Sequence, residues 1–127
     1  MTIREVEAAL EPYPDLVLAY VFGSVARGRA RPDSDVDVAV LADAPLDATY
    51  KARLIEDIAS ATGRPVDLID LAGVGEPLLG QILRYGVRIR GDAARHAQWV
   101  TRHIFNNEDF VPYIERMLAE RRQRWIG

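Results

Sequence analysis

Hydrophobic and polar positions divide the chain into short segments whose periodicity predicts helices and strands. Apolar residues recur at helical spacing over 3–10, before the proline-containing stretch at 12–14, and predict a first helix. The run LVLAYVF at 16–22 is continuously apolar and is followed by a glycine, which indicates a buried strand. VDVAVL at 36–41 predicts a second strand.

The second half of the chain alternates between helical and strand patterns. Residues 47–62 carry apolar positions at helical spacing and precede Gly63, a residue type that often ends helices. PVDLIDL at 65–71 predicts a third strand. The remaining predictions are a helix over 76–85, a short strand VRIR over 87–90, and helical structure from Asp92 onward, divided at Pro112 with Asp109 as a cap.

This order of elements predicts an α/β (α+β) fold. Helices that cover a small mixed β-sheet explain why the strands are almost continuously apolar. The C-terminal part is expected to form a helical tail outside that sheet. The predicted core residues are Val17, Leu18, Tyr20, Phe22, Val38, Val40, Leu54, Ile58, Val66, Leu68, Leu79 and Ile82.

Length and composition are those of one globular domain. The 127 residues are enough for a single core, and we expect one domain over 1–127, with its core at about 1–91 and the tail at about 92–127. There is no cysteine, no apolar run long enough to span a bilayer and no hydrophobic signal segment. We therefore expect a cytoplasmic protein without disulfides or a membrane partner.

The net charge of −3 makes nucleic acid an unexpected direct partner, because such binding depends on neutralising phosphates. The positive charges are nevertheless clustered. Arg27, Arg29 and Arg31 lie in one predicted loop, and a second group of arginines lies in the tail, where it is expected to be a solvated face.

Two aspartates at the start of the second strand are the first candidates for chemistry. Asp35 and Asp37 are two residues apart, so strand alternation points both carboxylates to one face. Their mutual repulsion favours a compensating cation, and Mg²⁺ takes its oxygen ligands from such pairs together with water and phosphates. The alternative is a turn at 33–35 with Asp37 on a solvated face.

A glycine and a serine follow the first strand and suggest a phosphate site. Gly23 allows backbone amides to approach an anion closely, and the Ser24 hydroxyl can donate a hydrogen bond to a phosphate oxygen. Arg27, one turn further, can add charge-assisted hydrogen bonds. A Gly-Ser pair that ends one strand, with a carboxylate pair opening the next, is a stronger signal than either alone.

The third strand supplies a further carboxylate. Asp67 lies near the strand start, as Asp35 and Asp37 do, and could join them in binding metal or accept a proton from an acceptor hydroxyl. Asp70 competes for this role, but it is three residues further along and points to the opposite face.

The stretch FGSVARGRARPDSDVDVAVL resembles the signature of the DNA polymerase β-like nucleotidyltransferase superfamily, most closely its minimal (MNT) branch. PVDLIDL is similar to the segment where that family carries its third acid. The resemblance covers residues 20–90 and implies a mixed-sheet core that acts on a nucleoside triphosphate with Mg²⁺. By position it assigns the triphosphate to Gly23 and Ser24, the metal to Asp35 and Asp37, and completion of the site to Asp67.

Many members of the minimal branch resemble antitoxins encoded beside a HEPN ribonuclease toxin, and some are thought to add AMP to a toxin tyrosine. The resemblance thus implies transfer of a nucleotide, AMP from ATP or a unit of another NTP, to a hydroxyl of a HEPN-type partner. A non-catalytic antitoxin that occludes its toxin, and an antibiotic-type nucleotidyltransferase, are the alternatives. We expect the partner surface in the tail, whose apolar stripe is Phe110, Tyr113, Ile114, Met117 and Leu118.

Other motifs are not supported. The sequence contains neither a P-loop nor a G-x-G-x-x-G motif, and its two histidines, His96 and His103, do not have the pattern of a zinc site. Arg90 and His96 have a spacing that occurs in HEPN ribonucleases, but Arg90 ends a predicted strand, so we expect no such activity here.

Overall fold

A computed structural model describes residues 2–106, 116 and 118–122. The order of elements follows the sequence prediction, with a one-turn helix in place of the predicted turn after the first strand. The elements are α1 (Thr2–Leu10), β1 (Leu16–Phe22), α2 (Gly23–Ala26), β2 (Val36–Ala42), α3 (Ala48–Thr62), β3 (Val66–Asp70), α4 (Leu78–Tyr85), β4 (Val87–Arg90) and α5 (Ala93–Asn106).

The strands form one mixed sheet in the order β3-β2-β1-β4, which confirms the predicted fold class. β1 is antiparallel to both β2 and β4, whereas β2 and β3 are parallel. A parallel pair needs a crossover connection, and α3 provides it. The antiparallel and parallel pairings together bring the end of β1 and the starts of β2 and β3 to the same edge of the sheet.

Local signals set the bounds of the helices. The Asp47 side chain caps α3 by accepting a hydrogen bond from the Tyr50 backbone N at 2.7 Å, and Gly63 ends the helix with a φ of +67°. Asp92 accepts from the Arg95 backbone N at 2.8 Å and precedes α5. The predicted helix over 76–85 begins two residues late, at Leu78, because Pro77 occupies its N-cap.

Two clusters of buried side chains lie on the two faces of the sheet. One joins α1 and α3 to the sheet through residues such as Val6, Leu54 and Ile58. The other joins α4 to the opposite face through residues such as Leu79 and Ile82. β1 contributes to both clusters and is therefore buried on both faces. Burial on both faces explains why the sequence of β1 is continuously apolar.

The predicted core is buried except at three positions. Val17, Val66 and Leu68 are only partly buried. Val66 and Leu68 lie on β3, which is an edge strand, and pack against the core from there. Val17 lies where the register with β2 shifts between Leu16 and Leu18, so it is the extra residue of a bulge and has no pairing partner.

The predictions for the tail are only partly covered by the structure. Helical structure after Asp92 is confirmed for α5, whereas the division at Pro112, the Asp109 cap and four residues of the apolar stripe lie outside the described residues. Leu118 is described and is 50% exposed. Throughout the described part of the chain, every helix is too short or too polar to traverse a bilayer.

Candidate active site

The candidate site lies at the sheet edge where β1 ends and where β2 and β3 begin. Phe22, the last residue of β1, pairs with Asp37 of β2, and Asp37 pairs in turn with Asp67 of β3. Strand alternation alone does not determine that Asp37 lies opposite Asp67. If β3 were shifted by one residue along β2, the Asp67 side chain would point to the other face of the sheet. The pairing brings Asp37 and Asp67 together, and the Asp37 carboxylate lies against Gly23.

The electrostatics of Asp37 reflect this crowding. Burial raises the pKa of its carboxyl group, and the negative charges of Asp67 and Asp35 raise it further, as does a hydrogen bond with Asp67. A cation beside these carboxylates would favour the ionised form of Asp37 again.

Gly23 is required by the position of Asp37. A Cβ atom at Gly23 would lie 2.1 Å from Asp37 Oδ2, and the residue has a φ of +71°, which favours glycine. From there the chain turns through α2, where the Arg27 backbone N donates to the Gly23 carbonyl at 3.1 Å. The Arg29 backbone N donates to the Ser24 carbonyl at 2.9 Å and closes the turn.

A cavity of about 340 Å³ opens beside this turn. It brings together four of the predicted residues, Gly23, Ser24, Arg27 and Asp37. Four further residues complete its lining: Phe22, Arg29, Gln81 and Tyr85. Gln81 and Tyr85 come from α4, and sequence reasoning missed them because no local pattern shows that this helix packs across the end of β1.

Asp35 and Asp67 are exposed, and neither lines this cavity. They lie on the open side of the site, where their charges act on Asp37. Asp70, the competing third acid, pairs with Val40 at the far end of the β2–β3 register. Its carboxylate instead accepts a hydrogen bond from the Ala72 backbone N at 3.0 Å. Of the two candidates, the fold thus brings Asp67 to Asp37.

Arg64 holds the loop that leads into β2. Its guanidinium donates to the carbonyl oxygens of Arg31 at 2.6 Å and Ser34 at 3.0 Å. The Ser34 hydroxyl accepts from the Arg31 backbone N at 2.8 Å, and the Ser34 backbone N donates to the Arg31 carbonyl at 3.0 Å. A turn therefore spans 31–34, earlier than the 33–35 of the alternative interpretation. The turn does not place Asp37 on a solvated face, because Asp37 is partly buried against Gly23.

The donor chemistry of the site fits a hard cation. Mg²⁺ commonly takes one or two protein carboxylates and completes its shell with water and phosphate oxygens. Asp37 and Asp67 provide two such ligands already held against each other. Within the described residues, no group of three or more Asp, Glu, His or Cys side chains forms a metal-binding cluster by itself. The fit is therefore to a cation shared with a phosphate ligand.

The residues with HEPN-like spacing have structural contacts. Arg90 donates hydrogen bonds to the carbonyls of Leu10 and Tyr13. His96 Nδ1 lies 2.7 Å from the Tyr20 hydroxyl. The two side chains thus contact different elements and do not form one site.

Comparison with known proteins places this geometry in a family. Residues 4–93 match the family model described as polymerase beta, nucleotidyltransferase. The chain is 38% identical over 78 residues to the protein adenylyltransferase MntA of Shewanella oneidensis. That alignment covers 61% of the chain but only 56% of the relative, so the chain spans little more than half of it.

Solved structures extend the similarity to nearly the whole chain. A chain in the crystal structure of a toxin–antitoxin complex with AMP-PNP is 27% identical and superposes with a TM-score of 0.73 over 97% of this chain and 94% of that one. A chain in the complex of tri-AMPylated S. oneidensis HEPN toxin with MNT antitoxin is 25% identical, with a TM-score of 0.63 over the same shares.

Proposed function

The chain belongs to the polymerase beta nucleotidyltransferase family, and from that premise we propose that it transfers AMP from ATP to a hydroxyl group of a partner protein. The observation that carries this proposal is the pair of facing carboxylates, Asp37 and Asp67, of which Asp37 lies against Gly23 and lines the cavity. That arrangement suits the cation of a metal-bound triphosphate, because the cation brings the positive charge that the carboxylates lack and takes its other ligands from the phosphate oxygens.

The partner is a HEPN-type toxin, and this chain is its antitoxin. Support comes from the similarity to a protein named adenylyltransferase and to a chain of a complex between an AMPylated HEPN toxin and an MNT antitoxin. The similarity to a complex that contains AMP-PNP, an ATP analogue, supports ATP as the nucleotide donor.

In the proposed reaction, the acceptor oxygen attacks the α-phosphorus and forms a new P–O bond. The bond from the α-phosphorus to the bridging oxygen breaks, and pyrophosphate leaves with the electron pair. The acceptor proton passes to the Asp67 carboxylate, which is exposed and therefore accessible to a protein substrate. Asp37, more deeply placed, faces the nucleotide side of the site.

Ser24 and Arg27 bind the phosphates. The Ser24 hydroxyl donates a hydrogen bond to a phosphate oxygen, and the Arg27 guanidinium adds a charge-assisted one from across the cavity. Asp35, Asp37 and Asp67 would hold Mg²⁺. When bound, the ion supplies positive charge that offsets the charge developing on the phosphate oxygens.

The test is to incubate the chain with the product of the neighbouring gene and with ATP labelled at the α-phosphate. Label is expected on the partner, and the Asp35→Ala/Asp37→Ala double variant should transfer none. Transfer of label only from the γ-phosphate would contradict the proposal, because that is kinase chemistry. Full neutralisation of the toxin by the double variant would indicate occlusion instead of modification.

A further inference from the structure

An exposed tyrosine beside the cavity is not explained by the packing of the fold. Tyr85 is the last residue of α4, and 52% of its surface is exposed although it is a large aromatic residue. The Arg27 guanidinium carbon lies 4.8 Å from its ring centroid. The contact joins a predicted phosphate-binding residue to an aromatic ring with a large solvent-accessible surface.

The ring lies where the cavity continues away from the carboxylates. A second cavity of about 510 Å³ is lined by Ala26, Arg27, Arg29 and Tyr85, and it shares the last three of these with the cavity at Gly23. A nucleotide whose phosphates lie at Ser24 must extend its base along one of these walls. Tyr85 is common to both cavities, and its exposed surface leaves an aromatic face beyond the one that Arg27 covers.

We propose that Tyr85 is the stacking platform for the nucleobase of the bound nucleotide, and that Gln81 recognises the edge of that base. Gln81 lies one helical turn before Tyr85 on α4 and lines the same cavity. Its amide has both donors and an acceptor, the combination that pairs with the N6 and N7 atoms of adenine. The proposal rests on the proposed function and adds the residues that select the base.

The physical reasoning separates the base from the phosphates. Stacking on an aromatic ring requires only the flat face of the base, so it strengthens binding of any nucleotide. Hydrogen bonds to the base edge distinguish one base from another. Loss of the Tyr85 ring should therefore weaken the binding of ATP without weakening the binding of a ligand that consists of phosphates alone. Loss of the Gln81 amide should reduce the preference for ATP over GTP.

The experiment measures binding by calorimetry, with Mg²⁺ in the buffer, of a non-hydrolysable ATP analogue and of inorganic tripolyphosphate. The readout is the affinity for the ATP analogue divided by the affinity for tripolyphosphate. A change in how Arg27 binds phosphate, caused by loss of the Tyr85 ring, affects both affinities and cancels in this ratio. Tyr85→Leu should lower the ratio by about tenfold. Tyr85→Phe keeps the ring and should leave it unchanged. Phe105→Leu is the matched control, since Phe105 is 59% exposed and does not line the cavity.

The Gln81 part of the proposal is tested with the corresponding GTP analogue. Gln81→Leu should reduce the preference for the ATP analogue over the GTP analogue several-fold while leaving tripolyphosphate affinity unchanged. An unchanged preference would overturn the assignment of Gln81.

Two further outcomes separate the inference from the proposed function. If the unaltered protein binds both ligands and Tyr85→Leu does not change their ratio, the stacking platform is wrong while the proposed function stands. If the unaltered protein binds neither ligand, both are wrong.

Discussion

The carboxylate edge, formed by Gly23, Asp37 and Asp67, can be compared with a second polar cluster at the end of α1. This second cluster, the helix anchor, consists of Tyr13, Asp57 and Arg90. Both regions bring together polar side chains from separate elements of the fold. They differ in whether those side chains have partners of opposite character among the described residues.

In the helix anchor, donors meet acceptors. Arg90 donates to the backbone carbonyls of Leu10, at 2.6 Å, and of Tyr13, just after α1, in addition to the backbone hydrogen bonds that these carbonyls accept. The Tyr13 hydroxyl donates to the Asp57 carboxylate. Burial raises the pKa of Tyr13 to about 12, and the hydrogen bond and charge of Asp57 add to the effect. These contacts stabilise the packing of α1 and α3.

At the carboxylate edge, hydrogen-bond acceptors of the same charge lie close together. Burial and two neighbouring carboxylates raise the pKa of Asp37, so its ionised form is disfavoured in the folded protein. A ligand that brings positive charge would relieve this cost. The comparison teaches that the paired cluster contributes to stability, whereas the unpaired one reduces stability and is suited to binding.

The largest expected effect comes from Asp37→Asn. Removing one ligand of the proposed cation should reduce AMP transfer by about 10³-fold, the usual scale for losing a group that stabilises the charge developing in the transition state. Label transfer from α-labelled ATP measures this loss. Asp70→Asn is the matched control, since Asp70 lies on the same strand pair but is bonded to Ala72. An equal loss in Asp70→Asn would contradict the assignment of the site to Asp37 and its neighbours.

The same variant should gain stability at neutral pH. Because the folded-state pKa of Asp37 is raised, stability is greatest when the carboxyl is protonated and falls as pH rises through that pKa. Asn cannot ionise, so Asp37→Asn should melt at a higher temperature than the unaltered protein at pH 7. The two melting curves should converge as pH is lowered towards the ordinary pKa of 3.8. A lower melting temperature at pH 7 would contradict the electrostatic account.

Gly23→Ala tests whether the turn positions the carboxylate. The added Cβ would lie 2.1 Å from Asp37 Oδ2, the end of a side chain that can move, so the carboxylate should shift and transfer should fall by about 10²-fold. Gly63→Ala is the matched control, because Gly63 has a similar φ of +67° and a Cβ added there would contact no other atom. Both variants should lose similar stability, and only the first should lose activity. Equal activities would contradict the positioning role.

Arg90→Met tests the helix anchor. Removing a charged donor from two partly buried carbonyls should lower the free energy of unfolding by about 2–3 kcal/mol. Chemical denaturation measures the change, and AMP transfer per folded molecule should stay constant. Arg88→Met, on the same strand, is the control, since Arg88 is exposed and makes one long bond of 3.4 Å to Asp92. A loss of activity in the folded Arg90→Met variant would show that the two regions are coupled.

The smallest expected effect is that of Tyr13→Phe, at about 1 kcal/mol for one hydrogen bond. Because the folded-state pKa of Tyr13 is about 12, its contribution is complete below pH 10 and is lost as pH rises towards 12. Urea denaturation from pH 9 upward should show that the difference in the free energy of unfolding between the variant and the unaltered protein becomes smaller. Tyr50→Phe should be nearly neutral, because the buried Tyr50 hydroxyl has no hydrogen-bond partner within the described residues.

Much of the fold was predictable because its signals are local. The bounds of β1 and β4 match the predicted ones, and Gly63 ends α3 as expected. Continuous apolar runs and capping residues act over a few positions, so they can be recognised without knowledge of the rest of the chain. The bulge at Val17 was not predictable, because it depends on how β1 and β2 pair.

The candidate site was predictable in part for the same reason. Alternation placed Asp35 and Asp37 on one face, and Gly23-Ser24 was recognisable from its position after a strand. Sequence reasoning favoured Asp67 over Asp70 as the third acid, and the register brings Asp67 beside Asp37, while the role itself stays a prediction. Gln81 and Tyr85 were missed altogether, since an exposed tyrosine at the end of a helix carries no signal of the cavity it lines.

The sequence by itself determined which segments form strands and helices and which carboxylates and glycine are available for chemistry. Only the tertiary structure decided that Asp37 faces Asp67, that Gly23 must lack a side chain, and that α4 provides a wall of the cavity. The physical reason is range. Periodicity and capping act between neighbours in the chain, whereas strand register and the crowding of charges arise only when distant segments pack together.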